Sequence, residues 1–161
     1  MNAVPSAAIV TLLFTDVEGS TRLWETEPAK MGEAMARHDT LARTAVVEHQ
    51  GSVVKTTGDG LHAVFGEAAD ALRAALAIEV ALADPAATAG MALHVRCGLH
   101  TGTVETRDDD YFGSAVNRAA RIMMPSLLPI SGNISVSGSI VTSYHFLYQA
   151  AIAFLKTGLP L

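Results

Sequence analysis

The sequence predicts an α+β domain in which helices pack against one largely antiparallel sheet. Three observations lead to this prediction. Runs of β-type residues alternate with amphipathic stretches in the order strand, helix, hairpin, helix, strand, helix, strand. A Gly-Asp-Gly turn joins the two strands of the hairpin. Hydrophobic residues make up 50% of the 161 residues, which suffices for one core, so we expect a single domain over residues 1–161.

The first predicted strand covers residues 9–15, a continuous apolar run rich in Val, Leu and Phe that ends at Asp16. A glycine turn and a helix start follow it. Residues 28–49 then place apolar side chains near helical spacing, and Gly51 stands just beyond them as a stop signal. This pattern predicts a long amphipathic helix.

A tight hairpin is predicted over residues 52–57 and 61–65. Two short β-type runs are separated there by a turn whose glycines permit a positive φ. Asp59 lies at the tip of this turn. Residues 67–83 are rich in alanine, place leucines four residues apart and are followed by an Asp-Pro pair, so they predict a second helix that covers the sheet.

The second half of the chain predicts one strand and one helix with clear patterns. Residues 93–104 alternate apolar and polar side chains, which is typical of a strand with one buried face. An acidic turn follows at 108–110, and residues 114–124 form a predicted helix that a proline ends. Asn117 and Arg121, four residues apart, share one face of that helix. Two weaker predictions complete the chain: a strand over 133–136 and a short helix over 139–145.

The charge and the cysteine content exclude several classes of function. The 16 acidic and 11 basic residues give a net charge of −5, the wrong sign for a protein that neutralises many nucleic acid phosphates. Cys97 is the only cysteine, so we expect no disulfide framework and a cytoplasmic location. The apolar run over residues 7–14 is too short to cross a bilayer. We therefore expect no nucleic acid partner and no membrane insertion.

Two carboxylates are candidates for metal binding. Asp16 and Asp59 each stand where a strand gives way to a turn. If the first strand lies beside the hairpin, the two converge and can hold two divalent ions about 3.5–4 Å apart for phosphoryl chemistry. The alternative is that both are ordinary turn aspartates, which are common next to glycine. These two residues alone favour the alternative.

Residues 17–21 favour a phosphate-binding site over ordinary turn aspartates. A strand gives way there to a glycine turn and a helix start, and such a turn offers backbone N–H groups to phosphate oxygens. Lys55 is either a solvated surface lysine or, beside a nucleotide, a hydrogen-bond donor to a base. Arg121 is either a surface residue or a planar fork that stabilises charge on a phosphoryl group, with Asn117 as an orienting neighbour.

Four blocks in fixed order resemble the class III adenylate and guanylate cyclases, particularly the bacterial ones. The blocks are LLFTDVEGSTRLWE (12–25), KTTGDGLHAVF (55–65), GLHTG (98–102) and YFGSAVNRAARIM (111–123). The resemblance covers residues 9–124 and weakens afterwards, although SGNISVSGSIV (131–141) is similar to the next strand and turn of the family. It implies a ferredoxin-like βαββαβ core with a largely antiparallel sheet and helices packed against it.

The resemblance also implies roles for individual residues. Two divalent metal ions per site, Mg²⁺ or Mn²⁺, lie at Asp16, Val17 and Asp59. Lys55 and Asp110 select adenine, where the spacing to the following glycine and asparagine selects Asp110 over the two aspartates before it. The substrate also contacts the residues of the first turn, which are Val17, Glu18, Gly19, Ser20 and Thr21.

The remaining implied roles concern catalysis and assembly. Asn117 matches the asparagine that orients the ribose, and Arg121 matches the arginine that stabilises the transition state. Lys156 is the candidate for a lysine that contacts phosphates. In the family the metal-binding residues and the other residues of one site come from two chains, so the resemblance implies a head-to-tail homodimer with composite sites. The implied substrate is ATP, which is closed into cyclic AMP with release of pyrophosphate.

Two other classes of function stay open on the sequence. One is a catalytically silent nucleotide-binding or dimerisation module of the same family, which the short C-terminal region suggests. The other is an unrelated two-metal phosphohydrolase, because aspartate pairs with glycine turns serve many such enzymes. The phosphohydrolase alternative leaves the combination of Lys55, Asp110, Asn117 and Arg121 without an explanation.

Overall fold

The computed structural model describes residues 6–108, 110–123 and 133–137. No helix within these ranges has the length and apolar character needed to span a membrane. The elements in chain order are β1 (Ser6–Val17), α1 (Ser20–Thr26), α2 (Pro28–Glu48), β2 (Ser52–Thr57), β3 (Gly60–Phe65), α3 (Ala68–Ala83), β4 (Val95–Arg107), β5 (Asp110–Phe112), α4 (Ser114–Met123) and β6 (Asn133–Ser137).

The strands form one sheet in the order β2-β3-β1-β4-β5, and neighbours along this path are antiparallel. β6 pairs with β4 in parallel. The β1–β4 pair is the centre of the sheet and keeps one register from Ser6 opposite Thr106 to Val17 opposite Val95. The order β2-β3-β1-β4, with α2 and α3 as the connecting helices, is the ferredoxin-like βαββαβ core. The predicted fold class is therefore confirmed.

The two faces of the sheet carry separate buried clusters, because successive side chains of a strand point to opposite faces. Leu13 of β1 belongs to the larger cluster together with Ile78 of α3 and residues of α2, so α2 and α3 cover this face. Leu12 belongs to the smaller cluster together with Ala119 of α4. We call this second face the α4 face.

Two glycines of β4 let α4 approach the sheet closely. A Cβ atom on Gly98 would lie 2.6 Å from the carbonyl oxygen of Ala119, and one on Gly102 would lie 2.8 Å from the Cβ atom of Ala115. Since the carbonyl group belongs to the helix backbone, it cannot rotate out of the way. The GLHTG block therefore fixes the position of the helix that carries the predicted asparagine and arginine.

Most predicted elements are confirmed with small changes of their ends. These are the hairpin, the two helices predicted over 28–49 and 67–83, the helix predicted over 114–124 and the strand over 133–136. The predicted helix over 139–145 lies outside the described residues.

Three predictions about element ends are wrong. The first strand continues to Val17, because its ladder with β4 extends that far, so Asp16 lies inside the strand. β4 continues to Arg107, and Asp110, which was expected in a turn, begins the short strand β5 that pairs with it. In contrast, the helix start predicted after the first glycine turn is confirmed, because α1 begins at Ser20.

Candidate active site

The two candidate metal-binding aspartates lie at the same end of the sheet. Asp16 is opposite Gly60 in the β1–β3 ladder. The N–H of Val17 donates a hydrogen bond to the carbonyl oxygen of Asp59 over 3.2 Å, so the turn between β2 and β3 is attached to the end of β1. Both aspartates are half-buried. Their carboxylates are thus mounted on rigid elements and remain accessible.

A glycine permits this close arrangement. A Cβ atom on Gly60 would lie 2.3 Å from the carbonyl oxygen of Thr15. The hydroxyl of Thr15 in turn accepts a buried hydrogen bond from the N–H of Leu61 over 3.1 Å. Gly58 has a φ of 62°, whereas Gly60 is not among the described glycines with positive φ. The first glycine of the turn therefore supplies the backbone conformation and the second supplies the space.

The donor atoms at this end of the sheet fit a magnesium-type cation. Asp16 and Asp59 provide hard carboxylate oxygens, which Mg²⁺ and Mn²⁺ prefer. Mg²⁺ is usually held by one or two protein carboxylates together with substrate phosphates. A group of three or more His, Cys, Asp or Glu, which is absent from the described part of the chain, is therefore not required. Asp16 and Asp59 are the residues that could hold metal ions.

Arg96 is a site residue that the sequence interpretation missed. It lies on β4 directly opposite Asp16, and its guanidinium forms an ion pair with the Asp16 carboxylate. Both side chains are 23% exposed. The alternation of apolar and polar residues along β4 could have identified Arg96, because it places this residue on the polar face of the strand. Arg96 supplies a positive charge beside the candidate metal site.

The first turn after β1 differs from the predicted phosphate cradle in one respect. The N–H of Val17 already donates to Asp59, and the N–H of Glu18 donates to the carbonyl oxygen of His94 over 2.8 Å. The structure thus uses these two N–H groups to hold the turn. Gly19 has a left-handed backbone conformation, and α1 begins directly after it. Ser20 and Thr21 lie in the first turn of this short helix.

Lys55 and Asp110, the predicted adenine-selecting pair, are brought together by the structure. The Lys55 ammonium and an Asp110 carboxylate oxygen are 2.7 Å apart. The Lys55 ammonium, and next the N–H of Tyr111, hold the pKa of the Asp110 carboxyl below its ordinary value. The two side chains are 48% and 34% exposed, so the pair adds little stability.

This ion pair requires a strongly curved sheet. Lys55 is on β2 and Asp110 is on β5, which are the two ends of the strand order. In a flat sheet the strand spacing of about 4.8 Å would put these strands about 19 Å apart. The end of β4 and β5 must therefore curl over the α4 face toward β2. A concave surface with a polar pair at its rim results.

A β-bulge decides which face of the sheet carries Lys55. The register of β2 against β3 shifts between Val53 and Lys55, and this pairs Lys55 with His62. Without the extra residue Lys55 would pair with Leu61, which is buried in the cluster under α2 and α3. One residue of slip reverses the face of every later side chain. The bulge thus directs Lys55 to the α4 face.

Asn117 and Arg121 lie on the outer side of α4. Ala115 and Ala119 of the same helix are buried against the sheet, whereas Asn117 and Arg121 are exposed. Their shared helix face, which the spacing predicts, is thus turned away from the strands that α4 packs on. Neither side chain is buried in a site formed by the described residues. Lys156 lies outside the described residues.

Comparison with known families decides what kind of domain carries this site. Residues 3–156 match the model of the adenylate and guanylate cyclase catalytic domain. This chain belongs to that family. The resemblance to class III cyclases that the four sequence blocks carry is thereby confirmed.

Two relatives illustrate how this cyclase domain occurs in longer proteins. An uncharacterized protein of Mycobacterium tuberculosis is 37% identical over 124 residues, which are 76% of this chain and 41% of that protein. A putative adenylate cyclase 3 of Rhizobium meliloti is 34% identical over 142 residues, which are 85% of this chain and 23% of that protein. The chain thus spans less than half the length of either relative.

Solved cyclase structures share the fold. An adenylate/guanylate cyclase/hydrolase from Silicibacter pomeroyi is 30% identical with a TM-score of 0.67, over 95% of this chain and 81% of that chain. An adenylate cyclase from Trypanosoma brucei is 25% identical with a TM-score of 0.71, over 80% of this chain and 72% of that chain. A guanylyl cyclase domain from Blastocladiella emersonii is 22% identical with a TM-score of 0.74, over 91% and 90%. Adenylate and guanylate cyclases both have this fold, so the fold does not show whether the substrate carries adenine or guanine.

Proposed function

We propose that this cyclase domain converts ATP to cyclic AMP and pyrophosphate at a site shared by two copies of the chain. The contact between Lys55 and Asp110 on the concave α4 face is the observation that supports ATP, and not GTP, as the substrate. Adenine presents an amino donor at the position where guanine presents an oxygen acceptor. An aspartate accepts from that amino group, and a lysine donates to the neighbouring ring nitrogen. The name of the rhizobial relative supports the same choice.

The reaction requires no protein nucleophile, because the attacking group is the 3′-hydroxyl of the ribose. This oxygen loses its proton to solvent and forms a bond to the α-phosphorus, and the bond between the α-phosphorus and the bridging oxygen of pyrophosphate breaks. Asp16 and Asp59 would hold the divalent cations, which would lower the pKa of the attacking hydroxyl and neutralise charge on the leaving group. Arg96, beside Asp16, contributes further positive charge at the triphosphate.

The catalytic asparagine and arginine act on the site of the partner chain. Asn117 and Arg121 are exposed on α4, so a second chain can present its metal-binding end to them. Arg121 binds the charged phosphoryl oxygens of the transition state through its planar fork, and Asn117 orients the ribose. A head-to-tail pair with two-fold symmetry contains two equivalent sites of this kind. Binding in the correct orientation supplies much of the catalysis.

The experiment that tests this proposal identifies the products of the purified chain. We expect cyclic AMP from ATP with Mg²⁺ or Mn²⁺ by chromatography and mass spectrometry, and a much smaller yield of cyclic GMP from GTP. Asp59→Asn should abolish turnover, because a neutral amide is a weak ligand for a hard cation. Asp70→Asn is the matched control, since Asp70 pairs with Arg73 on the surface of α3, away from the candidate site.

Three results would contradict parts of the proposal. Bound but unconverted ATP would identify a silent member of the family. Cyclic GMP as the main product would show that Lys55 and Asp110 do not select adenine. Full activity of Asp59→Asn would exclude Asp59 as a metal ligand.

A further inference from the structure

His62 lies on the α4 face directly beside the adenine-selecting pair. It is opposite Lys55 in the β2–β3 ladder and opposite Phe14 in the β1–β3 ladder. Residues directly opposite each other in a sheet point to the same face, so the side chains of Lys55, His62 and Phe14 form one row. His62 has none of the roles that the family resemblance implies.

The imidazole of His62 is buried and forms no hydrogen bond with the described part of the chain. The residue is 1% exposed, and neither ring nitrogen has a partner among the described residues. The ring stacks on that of Phe14 with a centroid distance of 4.1 Å and an angle of 14° between the planes. Buried polar side chains are almost always paired, so two unpaired nitrogens on one ring require an explanation.

Charges on both sides of the rim act on this ring. Burial first and the Lys55 ammonium second lower the pKa of His62, the Asp110 carboxylate opposes them, and the resulting pKa is about 4. His62 is therefore neutral near pH 7 and presents one donor and one acceptor nitrogen. The Lys55–Asp110 ion pair lies close enough to the imidazole to affect its charge. His62 is therefore next to the place where a ligand would separate this pair.

We propose that His62 is a third base-recognition residue, which hydrogen-bonds the purine base held by Lys55 and Asp110. This inference rests on the proposed function. When the base inserts between the lysine and the aspartate, it comes into reach of the nitrogens of His62. The Phe14 ring holds the imidazole in a fixed plane, so the hydrogen bond has a defined direction. A packing role alone would be served by an apolar ring, which has no polar atoms to leave unpaired.

The first test measures the kinetics of His62→Phe and His62→Gln. His62→Phe keeps the stack on Phe14 and removes both nitrogens, so we expect the KM for ATP to rise about tenfold and the preference for ATP over GTP to fall. His62→Gln restores a donor and an acceptor and should recover part of the lost affinity. Unfolding curves establish that each variant is folded.

His38 provides a matched control. It is fully buried on α2, under the opposite face of the sheet, and its Nε2 atom also has no partner among the described residues. His38→Gln should lower stability without changing the KM for ATP or the preference between purines. An unchanged KM and an unchanged purine preference in folded His62→Phe would overturn the inference.

A second test uses the unmodified sequence and does not depend on how the variants fold. The imidazole nitrogens are labelled with ¹⁵N, and the chain is titrated with 3′-deoxy-ATP, which lacks the attacking hydroxyl. We expect the His62 resonances to shift on binding while those of His38 stay in place. Unmoved His62 resonances in a chain that binds the nucleotide refute the inference alone. A chain that neither binds nor converts ATP refutes the proposed function and the inference with it.

Discussion

Glu79 offers a sharp test of how the core is built. It lies on α3 and is only 3% exposed, and no nitrogen or oxygen donor pairs with its carboxylate among the described residues. Its polar neighbour is the thiol of Cys97, a weak donor. Burial raises the pKa of Glu79, the Cys97 thiol opposes this rise, the Glu18 carboxylate adds to it, and the resulting pKa is about 8. Glu79 is therefore protonated in the folded chain at neutral pH.

The sign of the pH effect follows from proton binding. The ordinary pKa of this group is 4.5, so between that value and about 8 the folded chain holds one proton more than the unfolded chain. The stability contributed by Glu79 is complete below the lower value and is lost as the pH rises through the upper one. Each pH unit within this window lowers the free energy of unfolding by about 1.4 kcal/mol.

Glu79→Gln removes this titration and keeps the size of the side chain. We measure the free energy of unfolding of both chains with urea at about pH 5.5 and about pH 7.5. The stability of the variant relative to the unmodified chain should be about 3 kcal/mol greater at the higher pH than at the lower one. Glu33→Gln, an exposed position on α2, is the control and should show no such change. If the two chains differ in free energy of unfolding by the same amount at both pH values, Glu79 does not bind an extra proton in the folded chain.

Three further predictions concern the site. Gly98→Ala should lower stability by about 1–3 kcal/mol and abolish cyclase activity, because its Cβ atom meets the backbone of α4. Gly66→Ala, where the space is open, is the control and should change urea unfolding little. Lys55→Ala should reduce the kcat/KM ratio of ATP over GTP, and an unchanged ratio would contradict its role. Arg96→Ala should raise the KM for ATP by about tenfold or more, because it removes the positive charge beside Asp16. Arg96→Lys keeps that charge and should have a smaller effect. Equal KM values of Arg96→Ala and the unmodified chain in steady-state assays would exclude a contact between Arg96 and the triphosphate.

Local signals in the sequence were sufficient for most elements and for the candidate aspartates. The period-two and helical patterns determine the strands and helices, because each element buries one face. The Gly-Asp-Gly turn predicts the hairpin and the position of Asp59, since turn chemistry depends on neighbouring residues. The pairing of Asp16 with this turn required one assumption, that β1 lies beside the hairpin, which the β1–β3 ladder confirms.

Features that depend on contacts between distant strands could not be predicted from local patterns, and only the family resemblance linked Lys55 with Asp110. The bulge before Lys55 is visible only in the register against β3. The pairing of Arg96 with Asp16 depends on the register of β1 against β4, which no local pattern fixes. The role of Gly98 likewise follows from the path of α4 and not from any turn. Side chains at opposite ends of the strand order, such as Lys55 and Asp110, meet because the whole sheet curves.

The most direct test of the composite cyclase site mixes two inactive variants. Asp59→Asn lacks a metal ligand and Arg121→Ala lacks the transition-state arginine, so each alone should form no cyclic AMP. In a mixture of equal amounts, half of the dimers contain one chain of each kind, and each of these has one intact site. The mixture should therefore form about a quarter of the cyclic AMP that the unmodified chain forms. A mixture as inactive as its components would show that the aspartates and the arginine serve the same site from one chain, which contradicts the account.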